Sequence, residues 1–137
     1  MIETTDSTLS LILFSGTDDK LNAAAVLAVG AAAMGRPVNL FLQYYAVDAF
    51  RSDRITAAHG LSPEATAEQQ AIVTTHPGAH WSDLLHQAKE VGEVTIHACA
   101  LSTEMFGITK DDLDPLVDDI EGVAAFMSDA RGPIAFI

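Results

Sequence analysis

Residues 8–45 read "TLSLILFSGTDDKLNAAAVLAVGAAAMGRPVNLFLQYY" and contain two β-rich runs separated by a long alanine-rich run. The runs at 8–15 and 37–45 predict two strands, because both are dominated by residues that favour extended chain. The segment 18–34 predicts a helix that begins with two acids and is closed by a glycine. A strand, a helix and a second strand in this order favour a parallel α/β sheet.

The predicted helix at 18–34 is apolar nearly all the way round. A helix of this kind is covered on both sides, and we expect the sheet on one side and a second subunit on the other. A membrane span needs about 20 apolar residues. The run is shorter, is mostly alanine and is followed by Arg36 and Pro37. We therefore expect a buried helix in a homo-oligomer and no membrane partner.

The rest of the chain continues the alternation of helical and extended patterns, so the sequence predicts an α/β sandwich with a mostly parallel sheet and helices on both faces. It shows no linker, and we expect one domain over residues 1–137. The other predicted elements follow in chain order. They are a mixed segment with helical tendency at 46–68, a short strand or extended loop at 71–76, an amphipathic helix at 80–92, a strand at 93–100, a helix capped by Thr109 with Asp112, a helix at 122–130 and a last strand at 132–137.

The net charge of −12 excludes nucleic acid and anionic lipid as main partners, because such a field repels both. Much of the excess lies in the acidic run 111–121, which is either a solvated face or a docking patch for a basic partner; a halophilic origin is a further alternative. The first residues are acidic and do not resemble a signal peptide. The single cysteine forms no internal disulfide, and together these features predict a cytoplasmic protein.

That cysteine, Cys99, ends the predicted strand in "TIHACALSTEMFG" at residues 95–107. Ligand sites of parallel sheets lie at the carboxyl ends of the strands. We expect Ser102 to be the N-cap of the following helix, so that the amides of Leu101, Ser102 and Thr103 face an anion on the sulfur. A helix terminus stabilises an anion by about 0.3–1 kcal/mol, which is modest support.

His97 points to the same side of the strand as Cys99, because side chains alternate along a strand. The imidazole either pairs with the thiolate or is packed and hydrogen-bonded elsewhere. Cys99 itself either reacts or only fills space, since free cysteine is often buried. The five histidines are scattered without a metal-ligand spacing, so we expect no metal and no other cofactor.

Three segments resemble the DsrE/DsrF-like proteins. They are "LFSGTDDKLNAAAVLAVGAAAMGRPVNLFLQYYAVDAFR" at 13–51, "ACALSTEMFGITKDDL" at 98–113 and "GVAAFMSDA" at 122–130, and the closing "IAFI" is similar to the last strand of that family. The resemblance covers about 11–51 and 81–137, in the same order and at similar spacing. The middle, 52–80, does not share it.

The resemblance implies a five-stranded, three-layer α/β/α domain that forms oligomers. It also implies sulfur trafficking in the cytoplasm, in which the cysteine of Ala-Cys-x-x-Ser, here Cys99, takes sulfane sulfur as a persulfide and passes it to an acceptor thiol. Donor and acceptor are then proteins or low-molecular-weight thiols, and no cofactor is needed. Gly16 and Tyr44, at neighbouring strand ends, would shape the pocket, unless they are an ordinary turn glycine and a packing residue.

Two other functions stay open from the sequence. In the first, the protein is a non-catalytic small-ligand-binding or scaffold subunit, and Cys99 is a packing residue. In the second, Cys99 is a redox-sensing thiol that forms a sulfenate or a mixed disulfide instead of carrying sulfur. The reactivity of the native thiol separates the packing alternative from the other two.

Overall fold

The computed structural model describes residues 7–76 and 78–137. Its sheet has the order β4 (Asp119–Glu121), β3 (Val94–Cys99), β2 (Val38–Leu42), β1 (Leu9–Leu13) and β5 (Ile134–Phe136), and every neighbouring pair is parallel. The predicted α/β class and five-stranded sheet are confirmed. Along the described chain the elements are β1 (Leu9–Leu13), α1 (Asp18–Ala33), β2 (Val38–Leu42), α2 (Tyr44–Ala49), α3 (Ala67–Thr75), α4 (Trp81–Val91), β3 (Val94–Cys99), α5 (Ala100–Phe106), a 3-10 turn (Lys110–Asp112), β4 (Asp119–Glu121), α6 (Val123–Asp129) and β5 (Ile134–Phe136).

Strand alternation divides the sheet into two unlike faces. Leu11, Leu40 and Ile96 belong to the large core, which α1 and α4 also enter. On the opposite face, Phe41 and Cys99 form a small cluster with Phe126 of α6. Helices therefore cover both faces, as expected of a three-layer sandwich, but α6 contributes far less buried surface than α1 and α4.

Helices α1 and α4 pack closely because small residues line their contact. The buried face of α1 is almost entirely alanine, and Ala88 of α4 is also fully buried. At the end of α4, a Cβ added to Gly92 would lie 2.8 Å from the Cβ of Ala32. The glycine therefore permits a backbone approach that a side chain would prevent.

Two acids at the start of α1 fasten the middle of the chain to this layer. Asp18 accepts hydrogen bonds from the indole Nε1 of Trp81 at 3.0 Å and from the His59 amide at 2.8 Å. Asp19 accepts the Ser62 amide through both carboxylate oxygens, at 3.1 and 3.0 Å. Helix α3 follows this anchor and lies wholly within the described chain. Every one of its residues is exposed.

The predicted strand or extended loop at 71–76 is wrong, because residues up to Thr75 belong to helix α3. The signal for this helix lies upstream of the apolar residues. Thr66 and Gln69 form a capping box in which each side chain accepts the other's backbone amide, at 3.1 and 2.9 Å. The consecutive β-branched residues from Ile72 to Thr75 are typical of a strand, although here they lie on a short, exposed helix.

Two further boundaries differ from the prediction. The second strand ends at Leu42, and Tyr44 already begins α2. The predicted capping box of Thr109 and Asp112 is present, but it begins a short 3-10 turn instead of the predicted helix. Pro115 follows within a few residues, where it disfavours further helix.

The acidic run also contains a strand that the sequence did not predict. Strand β4 covers Asp119–Glu121 and pairs with the end of β3. Acidic residues are uncommon in strands, so this segment shows no strand pattern in the sequence. No helix within the described residues is long and apolar enough to cross a membrane.

Replacing Gly92 with alanine should destabilise the protein by about 1–3 kcal/mol, because the new methyl group overpacks the α1–α4 contact. Gly30→Ala is the matched control, since a Cβ at exposed Gly30 meets no atom within 4 Å among the described residues. It should stabilise the protein by up to about 1 kcal/mol through helix propensity. Urea unfolding measures both changes. A Gly92→Ala protein as stable as the parent would contradict the packing argument.

The pKa of Asp19 should make part of the stability depend on pH. Burial acts to raise it, but hydrogen bonds from Thr17 and Ser62 outweigh burial and hold it below its ordinary value of 3.8. The stabilisation is therefore present above pH 3.8 and is lost as pH falls through the lowered folded-state pKa. Asp19→Asn should lower the unfolding free energy at pH 7, and the difference from the parent should shrink in acid.

Denaturant midpoints of the parent and Asp19→Asn, measured from pH 7 down into acid, show the effect of the Asp19 carboxylate on stability. Glu90→Gln serves as the control, because Glu90 is an exposed acid on α4. A difference between parent and Asp19→Asn that stays constant down to the acid limit would contradict the role of the carboxylate.

Candidate functional site

Cys99 is the last residue of β3 and the N-cap of α5. The prediction that Ser102 caps this helix is therefore wrong. Because the N-cap carbonyl accepts the first helical bond, the Thr103 amide is engaged by Cys99. The first-turn amides without an acceptor inside the helix are those of Ala100, Leu101 and Ser102.

Ser102 is fully buried inside α5, where its hydroxyl accepts the Tyr44 amide at 2.9 Å. This bond links the helix after β3 to the chain after β2, and it explains why the hydroxyl is not a cap. Tyr44 has a φ of 45°, a backbone conformation that costs a tyrosine about 1–3 kcal/mol. The Ser102 hydroxyl and the ring of Phe14, whose centroid lies 4.9 Å from that of Tyr44, stabilise it there.

The other predicted site residues lie around this link. A Cβ added to Gly16 would lie 2.5 Å from the Tyr45 carbonyl oxygen, so the turn after β1 needs glycine. Thr103 is buried and donates its hydroxyl to the Ala100 carbonyl at 2.9 Å. Leu101 points outward and is 66% exposed. The structure thus brings Gly16 and Tyr44 to one edge of the sheet with α5, while the Leu101 side chain faces away from the core.

The Cys99 side chain is only 4% exposed and packs with Phe41 and Phe126. The two rings are stacked, with centroids 4.6 Å apart and planes 17° from parallel. Phe126 is the buried residue of α6 among those described. Three cavities, of about 540, 250 and 550 Å³, open elsewhere, and Cys99 is absent from the described residues that line them.

His97 lies on the same face as Cys99, as predicted from alternation, but its ring is held by other groups. Nδ1 lies 2.5 Å from Oδ1 of Asp119 and 3.7 Å from Oε1 of Glu121. Nε2 lies 3.0 Å from Oδ1 of Asn39. With both nitrogens engaged, the geometry favours a packed, hydrogen-bonded histidine over one paired with the thiolate.

Glu121 was missed by the sequence reasoning, yet it is the register partner of Cys99 on β4. Its burial raises the pKa of the carboxyl; His97 opposes this, while Asp119 and Asp129 add to the rise. Asp119 and Glu121 could have been identified as neighbours of Cys99 only by recognising that residues 119–121 form a strand in register with β3. Asn39 and Phe126 also carried no separate signal.

Known proteins with similar sequences and folds agree with this architecture. The sequence profile of the DsrE/DsrF/DrsH-like family matches residues 5–75 and 65–133, so the middle segment falls within the matched range. The uncharacterized protein YrkE of Bacillus subtilis is 28% identical over 157 aligned residues, which cover 96% of this chain and 95% of the relative.

A solved structure, that of the protein of unknown function MTH1491 from Methanobacterium thermoautotrophicum, shares the fold. It superposes with a TM-score of 0.51 at 17% identity and covers 96% of this chain and 98% of its own. The superposition therefore extends over nearly the whole chain rather than one motif. On the profile match to most of its length, the chain belongs to the DsrE/DsrF/DrsH-like family.

Proposed function

We propose that the protein is a sulfur carrier in which Cys99 accepts sulfane sulfur as a persulfide and passes it to an acceptor thiol. The observation that carries the proposal is the position of the chain's one cysteine at the carboxyl end of a central parallel strand. Membership of the family supports a role related to sulfur relay. The donor is the persulfide of a protein or of a low-molecular-weight thiol, and the acceptor is a thiol of either kind.

The proposed chemistry consists of two displacements at sulfur. The Cys99 thiolate attacks the outer sulfur of a donor persulfide, the donor S–S bond breaks, and the donor leaves as a thiolate. An acceptor thiolate then attacks the outer sulfur on Cys99 and releases the Cys99 thiolate. Each displacement forms one S–S bond and breaks another, so the transfer consumes no oxidant or reductant.

The surroundings of Cys99 give this cycle two requirements. The negative outer sulfur needs donors, and the Leu101 and Ser102 amides in the first turn of α5 have no acceptor inside that helix. The sulfur also needs access, because Phe126 covers it. Since α6 is fixed by so little buried surface, we propose that α6 moves away from the sheet when the donor binds.

The second candidate is a scaffold or small-ligand-binding subunit in which Cys99 is a packing residue. The observation that favours it is the burial of the thiol against a stacked pair of aromatic rings. In this case the protein should neither gain sulfur nor react with alkylating reagents until it unfolds.

Native protein treated with inorganic polysulfide should gain one sulfur atom in an intact mass spectrum, and Cys99→Ser should not. Addition of glutathione should then remove the sulfur, because a carrier must release its cargo to a thiol. Uptake by unfolded protein alone, with none by the native protein, would contradict the carrier and favour the scaffold.

Phe126→Leu should make native Cys99 react faster with iodoacetamide, by about tenfold for each 1.4 kcal/mol lost from the docking of α6. The control is Ile55→Val, which removes one methylene from the opposite core and costs about 0.5–1.5 kcal/mol. It should leave the alkylation rate unchanged. Equal acceleration in both variants would mean that Cys99 reacts only after global unfolding.

A further inference from the structure

His97, Asp119 and Glu121 form a mixed nitrogen and oxygen cluster on adjoining strands. Strands β3 and β4 are in register, with His97 opposite Asp119 and Cys99 opposite Glu121. One ligand atom from each of the three residues lies within 4.8 Å of the others. All three side chains therefore converge on one point at the free edge of the sheet, beside α6.

The charges at this point are not balanced by the protein. The Glu121 side chain is 16% exposed, and its only polar contact within the described chain is His97 at 3.7 Å. Asp119 and Asp129 add negative charge nearby. Other partly buried acids are satisfied: Asp18, for example, accepts hydrogen bonds from the Trp81 indole at 3.0 Å and the His59 amide at 2.8 Å. A partly buried carboxylate without donors is unfavourable, and a bound cation would reduce that cost.

We propose that His97, Asp119 and Glu121 bind a divalent transition-metal ion of the zinc type. Zn²⁺ takes imidazole nitrogen and carboxylate oxygen in four-coordinate sites, and three protein ligands leave one position for water. The imidazole argues against Mg²⁺ and Ca²⁺, which prefer oxygen ligands alone. Cys99 is a neighbour of this site and not one of its ligands.

The hydrogen bond from His97 to Asn39 is an independent feature that fits a metal ligand. Histidines that bind metals commonly donate the other ring N–H to an oxygen acceptor, which fixes the ring and its tautomer. Here Nε2 lies 3.0 Å from Oδ1 of Asn39, and this leaves Nδ1 directed at the two carboxylates.

Only a small adjustment converts the cluster into a coordination site. Two ligand atoms about 2.0–2.1 Å from one tetrahedral Zn²⁺ are about 3.3 Å apart. The distance from Nδ1 to Glu121 is already 3.7 Å, and Asp119, at 2.5 Å, must withdraw by less than 1 Å. The Asp119 and Glu121 oxygens lie within 4.8 Å of each other and must approach by at most about 1.5 Å. The Asp119 side chain is 55% exposed and free to turn.

Titration of chelator-treated protein with Co²⁺, followed by visible absorption, and with Zn²⁺, followed by calorimetry, tests the site. The parent should bind one equivalent. Asp119→Asn and Glu121→Gln should each weaken binding about tenfold or more, since even changes to outer-shell groups cost 10–100-fold. Glu90→Gln, an exposed acid on α4, should bind like the parent, and so should Cys99→Ala.

Circular dichroism of each variant shows whether it is folded, so a loss of binding can be assigned to the ligand. Absence of binding to the parent at millimolar Co²⁺ would overturn the proposal. So would equal binding by the parent and Asp119→Asn, or a loss confined to Cys99→Ala. Because binding should survive in Cys99→Ala, the metal site and the sulfur carrier stand or fall separately.

Discussion

The parallel register of β3 between β2 and β4 is the constraint on which the rest of the structure depends. It directs Ile96 and Ala98 into the core with α1 and α4, and His97 and Cys99 to the face under α6. A slip of one residue would exchange the two sets, because side chains alternate along the strand. The same register that buries the core therefore aligns Cys99 with Glu121.

The two helical layers differ in how firmly they are held. On one side, alanines and a glycine let the backbones of α1 and α4 approach closely, and Asp18 ties the starts of both helices together through Trp81. On the other side, α6 is fixed mainly by Phe126. Stability is concentrated on the first face, while Cys99 and His97 lie on the second. Side chains on the second face can therefore change while the core on the first face stays packed.

The sequence predicted the elements whose local signals agree with their tertiary roles. Helix α1 has acids at its start and Gly35 beyond its end in the positive-φ conformation, at 78°, that the pattern required. Strand β4 was missed because three residues rich in acid carry no strand pattern of their own; pairing with β3 makes them extended. Ser102 was misassigned for a similar reason, since its partner, the Tyr44 amide, is distant in the chain. The burial of Cys99 depends on Phe126, another distant residue, and no local spacing reveals it.

The exposed helix α3 has a consequence for how chains of this fold differ in length. None of its residues is buried, and the segment before it is anchored to the start of α1 through Asp18 and Asp19. Adding or removing chain beyond that anchor changes mainly a loop-closure entropy, which rises by only about 0.6 kcal/mol when a loop doubles in length. The region between the anchor and α4 is thus a place where an inserted segment can be carried at little energetic cost, with the sheet and both its faces unchanged.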